Sequence, residues 1–142
     1  MRYMRLCYMI TITEDIAMYI EIDFNSDEAL YLQLRNQIIL GIALEQYHEG
    51  DALPSVRQLA DDIGINMHTV NKAYSVLRQD GYVKVDRRRG AVIAVDVVKE
   101  EHMQQLKGKL RPIVMEAVCR DISRESLHRI IDEIYNDYGW LE

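Results

Sequence analysis

Apolar positions along this chain follow two periods, and the change from one to the other marks out its elements. Alternation through Tyr19, Ile20, Glu21, Ile22 and Asp23 predicts a short extended segment. Leu30, Leu34, Ile38 and Ile42 then step by four, which predicts a helix capped by Ser26 or Asp27 and running to about Glu45. The stretch Tyr47, His48, Glu49, Gly50, Asp51 reads as a turn. A second helix begins at Pro54-Ser55, where proline has no N–H to leave unpaired and serine caps, and it continues through Val56, Leu59, Ala60 and Ile63. Gly64 permits a tight inter-helix turn, and Asn66 caps a third helix from about Met67 to Gln79 that Asp80 and Gly81 end.

The third helix divides into two faces. Val70, Ala73, Tyr74 and Leu77 fall at helical spacing and should pack inward, which leaves His68, Asn71, Lys72 and Ser75 on a polar outward face. Beyond it, Tyr82, Val83, Lys84 and Val85 predict one short strand and residues 91–95 its partner, with Asp86, Arg87, Arg88, Arg89 and Gly90 at the hairpin tip. Three adjacent arginines have little but Asp86 to pair with locally, so the tip keeps positive charge for phosphate clamping or minor-groove insertion. Two helices, a tight turn and a basic hairpin are the layout of a winged helix-turn-helix, whose second helix enters a DNA major groove.

The remaining chain repeats a helical pattern twice. Met103, Leu106, Leu110, Ile113 and Ala117 form one stripe, and Leu127, Ile130, Ile131, Ile134 and Tyr138 form another, with Ser123 as the second helix's cap. Pro112 lies inside the first stripe and is expected to kink or split that helix near Lys109. These helices have no core of their own to cover, so they are expected to pack on the first helix and on a second copy of the chain. The fold class expected is α+β, mostly α. A winged helix-turn-helix domain spans residues 18–95, a helical dimerisation tail spans 96–142, and residues 1–17 read as an N-terminal extension, with Met18 an alternative start.

Charge changes the picture only when divided along the chain. The 142 residues carry a formal charge of −6, which argues against a polyanionic partner if taken whole. Residues 51–95, however, hold seven basic and five acidic side chains, so the one net-positive portion coincides with the proposed DNA-reading module. Cys7 and Cys119 are far apart, and His48, His68, His102 and His128 are scattered. No metal site, disulfide framework or cofactor is expected, and a reduced, cytoplasmic protein is the simplest account. No apolar run is long enough to span a bilayer, and the start lacks a signal-peptide cleavage pattern.

Residues 53–60, Leu-Pro-Ser-Val-Arg-Gln-Leu-Ala, followed by Thr69-Val70, Ala73-Tyr74, Leu77 and Asp80-Gly81-Tyr82-Val83, resemble the signature of the GntR family of bacterial transcriptional regulators. Ala29-Leu30-Tyr31-Leu32-Gln33-Leu34 is similar to that family's first helix, and Asn66 with Asn71-Lys72-Ala73-Tyr74 resembles its YtrA subfamily. The resemblance implies DNA contacts at Ser55 and Arg57, at Asn66, His68, Thr69 and Asn71, and at the wing tip from Arg87 through Arg88 and Arg89 to Gly90. Lys72 adds a phosphate candidate. It also implies dimerisation through a short tail, here expected to use Leu106, Leu110, Ile113, Ile130, Ile134 and Tyr138, and a place beside ABC-transporter genes. Met67 and Asn71 stand where other branches carry arginine, and Arg88 replaces the first glycine of the usual wing Gly-x-Gly, so base readout should differ.

The expected protein is a homodimeric, sequence-specific repressor of double-stranded DNA, one half-site per winged helix. Whether a small-molecule effector acts on it is left open. The rival from another class is a winged-helix module that binds protein and not DNA. An enzyme is not expected, because 47 residues after Val95 cannot house a catalytic domain and no nucleophile, base and orienter stand together.

Overall fold

Met18, Ile20 and Ile22 are fully buried while Tyr19 and Glu21 between them are exposed, the period-two pattern of a strand with one face on a core. The computed structural model describes residues 5–13, 16–97 and 99–140. It places these residues in β2 (Ile16–Asp23), which pairs antiparallel with β1 (Arg5–Thr13) from Arg5 opposite Asp23 to Thr13 opposite Ile16. Residues 5–13, read from the sequence as part of an extension, thus form a strand in the same compact unit, Met1–Asp96.

The first helix, α1 (Leu30–Ala43), starts later than its sequence suggests, at an Ala29 cap that offers no side-chain hydrogen bond. Ser26 Oγ instead accepts from the Glu28 N–H in a local turn, and Gln33 ties the first turn of the helix back to the preceding strand and loop. Its side-chain oxygen accepts from the Asp23 N–H at 2.8 Å, and its amide donates to the carbonyls of Asp23 and Glu28 at 3.0 and 2.9 Å. A buried amide with three bonds joins strand to helix, which a search for N-cap residues does not detect.

The next two helices follow the sequence reading. In α2 (Val56–Ile63), Ser55 Oγ accepts from the Gln58 N–H, and Gly64 closes the helix with φ of 72°. In α3 (Met67–Gln79), Asn66 Oδ1 accepts from the His68 N–H at 2.7 Å. Leu34 and Ile38 of α1, Leu59 and Ile63 of α2, and Val70, Ala73 and Leu77 of α3 close on the β2 face as one core. Each fully buried valine, leucine or isoleucine side chain among them contributes roughly 1.5–3 kcal/mol relative to exposure. Two polar ties fix the helix angles. Arg35 of α1 donates from Nε and Nη2 to Asp80 Oδ2, and the Tyr74 hydroxyl donates to the Pro54 carbonyl at 2.7 Å.

The wing is the hairpin of β3 (Val83–Asp86) and β4 (Gly90–Ile93), displaced by one or two residues from its expected limits. A third segment joins it. The Gly50 N–H donates to the Ile93 carbonyl, the Ile93 N–H to Asp51 and the Leu53 N–H to Ala91, each at 2.8 Å, so part of the expected turn runs alongside β4. That stretch is too short and too polar for alternation to reveal it.

The second unit, Val97–Glu142, consists of α4 (Lys99–Cys119) and α5 (Arg124–Asp137), with Ser123 capping α5 as expected. Pro112 does not split α4, which runs through it for 21 residues. Pro112 and Gly108 are both exposed, so the Gly108 carbonyl, left without its donor four residues on, faces solvent. In the single chain, Leu106, Leu110, Ile113, Ile130, Ile134 and Tyr138 remain between 39% and 51% exposed. Among the described residues no helix is long and apolar enough to cross a membrane, and no group of three metal-ligating side chains assembles.

Candidate nucleic-acid interface

Two helix N-termini and the wing open onto neighbouring hollows. One groove, of about 300 Å³, is lined by Ser55 at the start of α2, by Asn71, Ser75 and Arg78 of α3, and by Val85 and Gly90 of the wing. An adjoining recess of about 690 Å³ is lined by Val56, Asn66, Met67, His68 and Asn71. Asn71 and Val56 line both, so the α2 start, the outward face of α3 and the wing share one stretch of surface.

The helix caps leave the donors that a phosphate needs. Ser55 Oγ accepts from Gln58, which keeps its O–H free to donate, and Asn66 uses its amide oxygen on His68, which keeps its NH₂. Both stand at the positive end of a helix dipole, where an anion is stabilised. Arg57 is exposed on the first turn of α2 and, among the described residues, has no side-chain partner. His68 and Asn71 are exposed on α3, while Thr69 is half-buried beside the fully buried Val70 and so belongs as much to the packing as to the surface.

Lys72 does not extend freely into solvent. Its ammonium lies 4.0 Å from the centroid of the Tyr31 ring on α1, a cation–π contact worth about 0.5–1 kcal/mol at an exposed site. A phosphate would have to compete with that contact. No periodicity argument could have found it, because Tyr31 and Lys72 lie on different helices.

At the wing tip, Asp86 acts on backbone and not on guanidinium groups. Its Oδ1 accepts from the N–H groups of Arg88 and Arg89 at 2.8 and 2.9 Å, and Gly90 turns the chain with φ of 77°. Arg89 reaches back to donate from Nη1 to the Gly50 carbonyl at 2.8 Å, tying the tip to the strand segment before α2. The carbonyl is neutral, so Arg89 keeps its positive charge although its position is fixed. Arg87 and Arg88 are exposed, with no side-chain partner among the described residues.

The two backbone hydrogen bonds hold the Asp86 carboxyl below its ordinary value, reinforced by the nearby Arg89 charge. A lowered carboxyl pKa contributes order that is complete above the usual carboxylate range and is lost as pH falls through the lowered value. In an NMR titration, the Arg88 and Arg89 amide shifts should hold until pH drops below about 3.9, the free-aspartate value. A midpoint at or above that value would show that Asp86 does not organise the tip.

The bacterial regulatory protein gntR family model matches residues 27–93, which contain α1, the helix-turn-helix and the wing. Over 121 residues the chain is 35% identical to the HTH-type transcriptional repressor YtrA of Bacillus subtilis (strain 168), covering 83% of this chain and 93% of that protein. It is also similar to the solved structure of YtrA from Sulfolobus acidocaldarius, a GntR-family transcription factor, at 38% identity and a TM-score of 0.60 over 70% of this chain and 97% of that one. A transcriptional antiterminator from Listeria monocytogenes EGD-e superposes with a TM-score of 0.73 at 26% identity, covering 82% of this chain and 90% of the other. The winged helix-turn-helix seen here and the match to nearly the whole of a transcriptional repressor agree with the resemblance read from the sequence: the chain belongs to the GntR family and is a DNA-binding transcription regulator.

Proposed function

We propose that this protein is a homodimeric repressor that binds an inverted-repeat operator, with one half-site per winged helix. The observation that carries the reading is the shared surface on which Ser55, Asn71 and Gly90 line one groove, beside the unpaired arginines of the wing. In this reading the α3 face enters the major groove. His68 and Asn71 meet base edges there, and the donors of Ser55, Arg57 and Asn66 hold flanking phosphates. Thr69 and Lys72 stand at its margin, and Arg87, Arg88 and Gly90 follow the adjacent backbone or minor groove while Arg89 braces the tip.

Pairing of two chains supplies the second half-site. The exposed apolar stripes of α4 and α5, with Leu106, Leu110, Ile113, Ile130, Ile134 and Tyr138 on them, are the surface assigned to that contact, since extended apolar patches mark association sites. Repressor action is assigned by likeness to the Bacillus subtilis transcriptional repressor. Control of an ABC-transporter operon rests on the subfamily resemblance alone, and the reading frames flanking the gene test it directly.

Binding to the duplex upstream of its own operon should saturate, weaken with salt and exceed binding to scrambled DNA. A stable protein partner captured with no affinity for any duplex would instead favour the protein-binding module.

A further inference from the structure

Met67 is the first residue of α3 and is 49% exposed, whereas the large apolar residues of the helix's inner face, Val70, Tyr74 and Leu77, are buried. About half of this unbranched apolar side chain is left in water beside polar neighbours. Its place is specific. It lines the recess of about 690 Å³ together with Val56, Asn66, His68 and Asn71, so two apolar walls stand among amide and imidazole groups.

We propose that Met67 is a specificity-determining residue that recognises the 5-methyl group of a thymine in each half-site. The inference rests on the reading that the α3 face enters the major groove. In that groove thymine, alone among the four standard bases, presents a methyl group, and apolar side chains are its natural contacts. The flexible, polarizable thioether of methionine adapts to such a target without demanding exact geometry. Met67 and Asn71 are four residues apart, on one stripe and about 6 Å along the helix axis. Successive base pairs rise about 3.4 Å, so the thymine lies within two base pairs of the base that Asn71 contacts. Asn71 itself is suited to adenine N6 and N7. The pairing of an apolar probe with an amide one turn later therefore predicts a T/A-containing core in the half-site. Arginine at either position would instead favour guanine.

The test uses the full chain and a duplex it selects from a randomised pool. Each thymine of that duplex is replaced in turn by uracil, which removes only the methyl group, and binding is followed by fluorescence anisotropy. For the wild type, one thymine per half-site, within two base pairs of the position whose preference Asn71→Ala relaxes, should lose about threefold to fivefold in affinity on this replacement, the effect of one methyl group leaving an apolar contact. Met67→Ala should bind the thymine and uracil duplexes equally, and Met67→Leu should keep the discrimination. Because Met67 is exposed, both variants should melt with the wild type. Indifference of the wild type to every uracil, or discrimination that survives in Met67→Ala, overturns the inference while leaving the DNA-binding reading intact. A pool that yields no preferred duplex overturns both.

Discussion

Replacing Arg87 and Arg88 together by alanine should weaken binding to a specific duplex by roughly a hundredfold to a thousandfold at moderate salt, with no change in melting temperature. The two guanidinium groups stand at the wing tip with no partner among the described residues, so removing them breaks no contact within the fold. In a dimer the double change withdraws four positive charges from the phosphates. Each released counterion contributes about 0.9 to the slope of log affinity against log salt, so that slope should become shallower by about 3 to 4. Arg120→Ala serves as control. Arg120 is equally cationic but lies in the tail, paired with Glu116 four residues earlier at 3.0 Å, and should leave the slope unchanged. An unchanged slope in the wing variant would place the phosphate contacts elsewhere on the molecule.

Two helical glycines should respond to alanine with opposite sign. A Cβ added at Gly41 would collide with Cε2 of Tyr47, a residue that is 2% exposed and closes the end of α1 against the core. The ring cannot move without opening that core, so the cost falls in the upper part of the about 1–3 kcal/mol typical of overpacking and outweighs the ~1 kcal/mol that alanine gains over glycine in a helix. At Gly108 of α4 an added Cβ meets nothing within 4 Å, so only the gain remains. Gly41→Ala should therefore melt several degrees below the wild type and Gly108→Ala slightly above it, measured at one protein concentration. Equal shifts for the two would show that Tyr47 is free to yield. Burial also pushes the Tyr47 hydroxyl up to about 12, and among the described residues that oxygen has no hydrogen-bond partner.

Local signals in the sequence carried the parts of the site built within one element. Ser55 and Asn66 each cap the helix that follows, Gly64 adopts the left-handed turn between them, and the inward set Val70, Ala73, Tyr74 and Leu77 is buried as its spacing requires. What escaped involves distant partners. Gln33 on the Asp23 backbone, Lys72 over Tyr31, Arg89 on the Gly50 carbonyl and the strand-like segment beside β4 each join residues whose proximity exists only after folding. The α1 start was misplaced for the same reason, because Ser26 had a nearer backbone N–H to accept from than the helix offered. Of the two outcomes expected at Pro112, a kink or a split, the split does not occur, because exposure relieves the unpaired carbonyl and exposure is a tertiary property.

The central claim is that the outward face of α3 and the wing tip form one DNA footprint, in which α3 supplies the base contacts. The most direct measurement compares wild type and Asn71→Ala by anisotropy across every single-base variant of the selected duplex. The account predicts that wild type discriminates strongly, and that Asn71→Ala loses about 1–3 kcal/mol of preference at one position per half-site while leaving the others as they were. Wild-type binding that is indifferent to sequence at moderate salt, or an Asn71→Ala profile identical to the wild type, would contradict it.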